Sequence, residues 1–536
     1  MHGRRKENVS AQEEKKRAAK VKWYRNLMET IFEKRKNQEY DDEALSLTSE
    51  VLRNIPDINT LWNYRKEVLK HMKATIPGEE LHELVDRELK LTKDCLIAQP
   101  KSYGTWFQRC WVLDHISRAP DYDKELELCN YYLELDERNF HCWDYRRYVT
   151  DRHKVLPSKE LAYSTEKIES NFSNYSAWHY RSKLLPLLYP DPNNHLPVEQ
   201  DKYVEEFSMV ESAVFTEPKD QSAWFYQRWL LGERYSEIKV ISAGVLHNGV
   251  TFVVFNQLVD LSPTTLVKVD SNVLMSWTSL NGASRSFVWL SEVKHLNKEF
   301  KLVIEGKIAQ TIPLNQHHVF VCNKYKFYQE LNEDLALEVK KQSDSIETLI
   351  KMEPENKFAL LTSITLLQHL NPVGEDSSPV TILNRFEQLK LLDPLRLNYY
   401  NDSESKYKIE TFIQTNSWLS PPSANLSNLQ LTSLHHMHCL AHCKEVVLSE
   451  NKLTNNCLRH LTPLVSCEIL KLSHCSLSSL QLFPLLPSLQ TLDASHNSID
   501  QIEDSVFQKY DACVQVILTG NPISEDMVVK HCTLVI

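Results

Sequence analysis

At 536 residues, with 42% hydrophobic and 25% charged side chains, the chain is too long for one ordinary core and too apolar to be disordered, so several packed domains are expected. A formal charge of −10 argues against broad nucleic-acid binding as the main activity. Twelve cysteines without regular pairing, no apolar leader behind a basic start and no window of membrane-spanning length point to the reducing cytoplasm.

The opening, Arg4 to Lys36 with Lys15-Lys-Arg17, reads as a charged helix with a solvated basic face, an acidic partner surface being the alternative. From residue 40 a pattern recurs: Trp62, Trp106, Trp143, Trp178 and Trp224 stand 44, 37, 35 and 46 residues apart, a period expected of stacked helix pairs. Four residues before a Trp stand Ser102, Asn139, Asn174 and Asp220, residue types that cap helix starts. Three residues after a Trp stand Arg65, Arg109, Arg146 and Arg181, and six after stand Val68, Val112, Val149, Leu184 and Leu230. Trp and aliphatic therefore share one buried face, while the arginines anchor a neighbouring turn or carboxylate. The fifth copy departs, with Arg228 four residues after Trp224, and a sixth around Pro354-Glu-Asn-Lys-Phe358 puts Phe in place of Trp.

Between the fifth and sixth copies the helical spacing stops. Runs such as Val250-Thr-Phe-Val-Val-Phe255, Phe287-Val-Trp-Leu290 and Phe300-Lys-Leu-Val-Ile304, with Asn248-Gly249 and Asn281-Gly282 as turns, predict a small inserted β-sandwich of the immunoglobulin-like kind. From about residue 424, Asn451, Cys475, Asn497 and Asn521 close leucine-spaced segments at intervals of 24, 22 and 24, the period of leucine-rich repeats. The expected borders are 1–239 for the first five helical repeats, 240–343 for the sandwich, 344–423 for the rest of the helical part and 424–536 for the leucine-rich repeats. Cys532 stands fifth from the end, where a C-terminal prenylation signal needs it fourth, so the chain does not read as a prenylation substrate.

The segments Pro100-Lys-Ser-Tyr-Gly-Thr-Trp-Phe-Gln-Arg109, Asp136-Glu-Arg-Asn-Phe-His-Cys-Trp-Asp-Tyr-Arg146 and Asn171-Phe-Ser-Asn-Tyr-Ser-Ala-Trp-His-Tyr-Arg181 resemble the repeats of protein prenyltransferase α subunits, strongly over 40–237 and more weakly over 345–402. The resemblance implies an α-α superhelix of helical hairpins. The added sandwich and leucine-rich repeats, and the start Met1-His-Gly-Arg4, resemble the type II branch, whose substrates are Rab GTPases. An α subunit active only with a β subunit is implied by this resemblance, and the β subunit would carry the zinc, the isoprenoid pocket and most diphosphate contacts. Geranylgeranyl diphosphate would be the donor, and an escort protein would present the Rab.

Cysteine prenylation needs a thiolate and a counter-charge for the departing diphosphate. This sequence shows no paired Cys-x-x-Cys, His-Glu-x-x-His or Walker loop. It offers loop cations: Lys101 and Arg138 precede equivalent polar-aromatic pairs, Ser102-Tyr103 and Asn139-Phe140. In related prenyltransferases a loop lysine of the α subunit approaches the diphosphate; Lys101 is the first choice here and Arg138 the second, against solvated surface charges. The resemblance also implies that His2 can sit on the partner's zinc in place of the substrate cysteine, against a disordered terminal histidine. His435-His-Met-His-Cys-Leu-Ala-His-Cys443 pairs His438 with His442 and Cys439 with Cys443 at helical spacing, but Leu431, Leu434, Met437 and Leu440 fit the apolar slots of a leucine-rich arc, so a structural role is expected. The competing function is a non-catalytic repeat scaffold that binds proteins.

Overall fold

The computed structural model describes residues 11–192, 196–232, 238–261, 267–269, 272–274, 277–280, 282–291, 299–304, 308–314, 319–322, 327, 331–370, 378–416, 423–510, 513–524 and 531–536. The chain forms two compact units, residues 1–189 with 221–226, and residues 190–220 with 227–536.

In the first unit, helix α1 (Ala11–Lys36) precedes hairpins of α2 (Asp42–Asn54) with α3 (Asn59–Thr75), α4 (Gly78–Ala98) with α5 (Tyr103–His115), α6 (Tyr122–Leu135) with α7 (Phe140–His153) and α8 (Pro157–Ser170) with α9 (Tyr175–Leu188). The cap residues start the second helices: side chains of Ser102, Asn139 and Asn174 accept from the N–H groups of Thr105, Cys142 and Ala177. One turn on, each Trp is buried and its indole N–H is satisfied by a carbonyl six residues earlier. Trp62 donates to Pro56, Trp106 to Pro100, Trp143 to Glu137 and Trp178 to Phe172, at 2.7 to 2.9 Å. The indole thus fills the core and closes the connection between the two helices. Gly104 marks a close approach, since a Cβ there would stand 2.9 Å from Cδ1 of Trp62.

The arginines join one hairpin to the next. Arg65 pairs with Glu88 of α4, Arg109 with Glu125 of α6 and Arg146 with Glu160 of α8, all buried and two-pronged. The third guanidinium nitrogen reaches back to the preceding first helix: to the Leu45 carbonyl and Thr48 from Arg65, to the Leu89 carbonyl and Thr92 from Arg109, to Asn130 from Arg146 and to Thr165 from Arg181. Arg65, Arg109 and Arg146 each bolt together the first helices of two repeats. Helices α10 (Gln200–Thr216) and α11 (Gln221–Leu231) come next. In α11 the arginine slot, three after Trp224, holds the buried Gln227, and Arg228 sits one residue beyond it, largely desolvated and facing Tyr399 and Tyr400.

In the second unit, β1 (Val240–Val245), β2 (Thr251–Val259), β3 (Val267–Val269), β4 (Asn272–Leu274), β5 (Ser286–Ser291), β6 (Glu299–Ile304), β7 (Ile308–Pro313) and β8 (Val319–Val321) form two antiparallel sheets, ordered β5-β2-β1-β8 and β4-β3-β6-β7. Val240, Val253, Phe255 and Trp289 from one sheet and Leu302, Ile304 and Ile312 from the other make one apolar cluster. Gly249 adopts φ +82° in the β1–β2 turn, as the Asn-Gly signal expects; Gly282 is at φ +70°, and Asn281 lies outside the described residues.

Helices α12 (Glu333–Met352), α13 (Lys357–Leu370), α14 (Ser378–Leu392) and α15 (Leu397–Thr415) resume the helical pattern, and α12 runs through residues 343 and 344. Here the sixth copy differs from its expected form. Asn356 caps α13, so the slot four residues on, buried as the tryptophans are, holds Leu360 and not Phe358. Ser363 stands in the arginine slot, and Arg385 of α14 comes back to bond it and Glu347. The ion pair survives with its polarity reversed.

The chain ends in a parallel ladder of β9 (Ser423–Asn425), β10 (Glu445–Val447), β11 (Ile469–Lys471), β12 (Thr491–Asp493), β13 (Val514–Ile517) and β14 (Cys532–Val535) in sequence order. Asn451 accepts from Leu429 and Leu431 N–H and donates to the carbonyls of Leu426 and Leu448; Asn497 and Asn521 repeat the motif further along the ladder. These amides satisfy the polar backbone of turns packed against leucines. Cys532 is buried in β14, paired to β13.

Candidate functional site

Lys101 and Arg138 lie in the connections that lead into α5 and α7, and one carboxylate links them. Asp136 Oδ2 receives Lys101 Nζ at 3.0 Å, while its Oδ1 receives the Arg138 N–H at 3.1 Å. The connections are tied further by Pro100, whose carbonyl accepts from both the Trp106 indole and the Asn139 amide. Lys101, Asp136, Asn139, Pro100, Tyr132 and Leu135 line a cleft of about 360 Å³. Repeat packing therefore holds a rigid floor beneath a cation on a flexible stem, and the Lys101 side chain is 64% exposed against 37% for Asp136.

Beside them, aromatic residues that follow the helix caps face outward. Tyr103 is 70% exposed and Phe140 50% exposed, their rings tilted and 6.2 Å apart; Tyr175 and Phe225 make a second pair, edge-on, at 6.2 Å. His141 is buried under Tyr103, ring to ring at 4.2 Å, and burial, reinforced by the Lys101 charge and opposed by Asp144, holds its imidazole below the ordinary range. A large aromatic surface turned to water next to cations is an interface feature more than a folding one.

Of the residues singled out from sequence, the Lys101 ammonium and the Arg138 main chain meet on Asp136, and the tryptophans and arginines stand in the core. His2 lies outside the described residues. His435 to Cys443 form no metal cage: His436 bonds Glu410 at 3.0 Å, His438 stacks on Phe287 at 4.0 Å, and Met437 and Leu440 are buried in the ladder core. Among the described residues no group of three or more His, Cys, Asp or Glu could hold a metal ion, and no helix is long and apolar enough to cross a membrane. Sequence reasoning missed Asp136 and the glutamate partners. Their signals were present: Asp136 stands three residues before a cap, and Glu88, Glu125 and Glu160 recur in the first helix of each repeat.

Five segments, 41–72, 85–116, 122–153, 157–188 and 203–234, match the protein prenyltransferase alpha subunit repeat. Over 98% of its length the chain is 35% identical to the geranylgeranyl transferase type-2 subunit alpha of Sus scrofa and to that of Homo sapiens, covering 96% of each. The protein of that name from Dictyostelium discoideum is 37% identical over 269 residues, which are 49% of this chain and 84% of that one. A chain of the solved Candida albicans protein geranylgeranyltransferase-I complexed with GGPP aligns with a TM-score of 0.42 at 16% identity, covering 72% of this chain and 91% of that chain.

Proposed function

Because the chain belongs to the protein prenyltransferase α-subunit family, among the type-2 geranylgeranyl transferase α subunits, we propose that it forms a heterodimer with a β subunit and that the pair geranylgeranylates Rab GTPases in the cytoplasm. The substrate thiol loses its proton, the thiolate sulfur attacks C1 of geranylgeranyl diphosphate, the carbon–oxygen bond breaks and diphosphate leaves, so the C-terminal cysteine of the Rab ends as a thioether. An escort protein presents the Rab, and the zinc implied by the family is assigned to the β subunit.

The observation that carries this reading is the juxtaposition of Lys101 and Arg138 with exposed Tyr103 and Phe140. The aromatic surface supports a partner that covers it, and the loop cations support a role at the leaving diphosphate, where a positioned positive charge lowers the barrier. Lys101 is the favoured contact, as a compact ammonium with three donors, and Arg138 the second. His2 is read as an autoinhibitory ligand of the partner's zinc.

The two-sheet insert is read as an immunoglobulin-like sandwich (240–343) and the parallel ladder as leucine-rich repeats (424–536), with the helical part in 1–239 and 344–423, although α12 already begins at Glu333.

The test is co-purification with a prenyltransferase β subunit, followed by transfer from labelled geranylgeranyl diphosphate to Rab with and without escort protein. Transfer by the heterodimer, by neither subunit alone, and only with escort protein present is the expected result. A chain that stays monomeric and leaves the β subunit inactive would favour the scaffold reading.

A further inference from the structure

We infer that Asp136 is a positioning residue for the transfer step: it holds the Lys101 ammonium at the height where the leaving diphosphate develops its charge. The inference rests on the reading of Lys101 as a diphosphate contact.

The geometry is specific in what it fixes and what it leaves free. One carboxylate oxygen of Asp136 is occupied by the Arg138 N–H at 3.1 Å, and the Asp136 carbonyl accepts from Asn139 N–H at 3.0 Å, so the residue is pinned at both ends of its turn. The same turn carries the Asn139 cap, whose amide also reaches the Pro100 carbonyl beside Lys101. The two connections are therefore locked to each other, and the second carboxylate oxygen projects from a rigid base to Lys101 Nζ at 3.0 Å.

Lys101, by contrast, has a flexible four-carbon stem and a mostly solvated tip, and a free lysine of that kind samples many rotamers. An ammonium has three N–H donors; one bond to Asp136 leaves two for phosphate oxygens. The carboxylate thus removes the lysine's freedom without using up its donors. An exposed pair of this kind contributes little to folding, which frees its geometry to serve the site. Its charge also opposes binding of a diphosphate, so whatever it contributes to transfer comes through orientation of the ammonium and not through attraction.

The experiment uses the full heterodimer with escort protein and Rab, and compares wild type, Asp136→Asn, Lys101→Ala and the double variant. Asparagine removes the charge while its one oxygen still serves the turn, and dimer formation and thermal unfolding check that the fold is kept. The readouts are the single-turnover rate at saturating geranylgeranyl diphosphate and the direct binding constant for that diphosphate. Expected for Asp136→Asn is a rate lower by about tenfold, a fraction of the roughly 10²–10³ lost when a donor to a developing anion is deleted, with binding unchanged or tighter. The double variant should be no slower than Lys101→Ala. Wild-type rate for Asp136→Asn beside a slow Lys101→Ala overturns this inference and leaves the Lys101 reading standing. Weaker binding by Asp136→Asn, or losses that multiply in the double variant, also overturn it. A wild-type rate for Lys101→Ala removes both.

Discussion

The Arg146 guanidinium meets the Glu160 carboxylate in a parallel two-point contact, Nε to Oε2 and Nη2 to Oε1 at 2.7 Å each, with both side chains 5% exposed. The pair crosses from the third hairpin to the fourth, and the guanidinium also bonds Asn130 and lies 3.6 Å from the Tyr163 ring centroid. Removing one partner strands a buried charge. Glu160→Gln should therefore cost about 3–5 kcal/mol, whereas Arg146→Met with Glu160→Leu should cost clearly less than the two single changes together. Urea unfolding of the isolated chain, followed by tryptophan fluorescence, measures both; a double variant whose loss equals the sum of the two single losses would contradict the bolt-like role.

Core and surface aromatics should separate by assay. Trp143→Ala empties a fully buried site and loses an indole hydrogen bond, which should cost about 3–5 kcal/mol of stability. Tyr103→Ala with Phe140→Ala removes rings that are half or more in water, with His141 as a shared neighbour, so unfolding of the chain alone should shift by about 1 kcal/mol, well below the loss for Trp143→Ala. Affinity for the β subunit should fall at least about tenfold, as for interface anchors. Titration of β subunit onto immobilised chain decides it, and undiminished affinity would place the interface elsewhere.

The repeats were legible because one tryptophan, one cap and one arginine recur at fixed offsets, each with a single physical task. Copies that trade those tasks were not. Leu360 fills a tryptophan slot, Ser363 an arginine slot, and Arg385 supplies the charge from the opposite side, so the fold keeps the contact while the residue pattern dissolves. Strands of the insert were readable from alternation, whereas β9 and β14, three and four residues long, carry too little pattern to stand out. At the candidate site the cations could be picked out singly, but Asp136 acts through two loops that only packing brings together.

Lys101→Ala and Arg138→Ala test the cations directly. If Lys101 contacts the departing diphosphate, its removal should slow transfer by about 10²-fold with dimer formation intact. Arg138→Ala should cost less, since Arg138 meets Asp136 through its backbone N–H, which alanine keeps. The measurement is single-turnover transfer by the heterodimer. Arg138→Ala as the slower variant would exchange the two roles.

Acid should loosen the C-terminal part of the chain before carboxylates titrate. His438 is buried against Phe287 and pushed down to about 3, by burial first and by neighbouring His436 second; burial pushes His442 down to about 4. His436 itself is tied to Glu410, which also meets Lys406, so that carboxylate is already engaged. In the unfolded chain both imidazoles titrate near 6.5. The unfolded state therefore binds more protons as pH falls below about 6.5, and stability declines on the order of 1.4 kcal/mol per pH unit for each site until the folded values are reached. Between pH 7 and 5 the urea midpoint of the wild-type chain should fall. In His438→Phe, which keeps the ring stacked on Phe287 without a titrating nitrogen, the fall should be shallower by about 1.4 kcal/mol per pH unit below the unfolded value, while the other depressed imidazoles, His442, His435, His369, His179 and His141, keep their share. Equal pH dependence in the two proteins would show that the His438 imidazole is not the buried, neutral group that this packing requires.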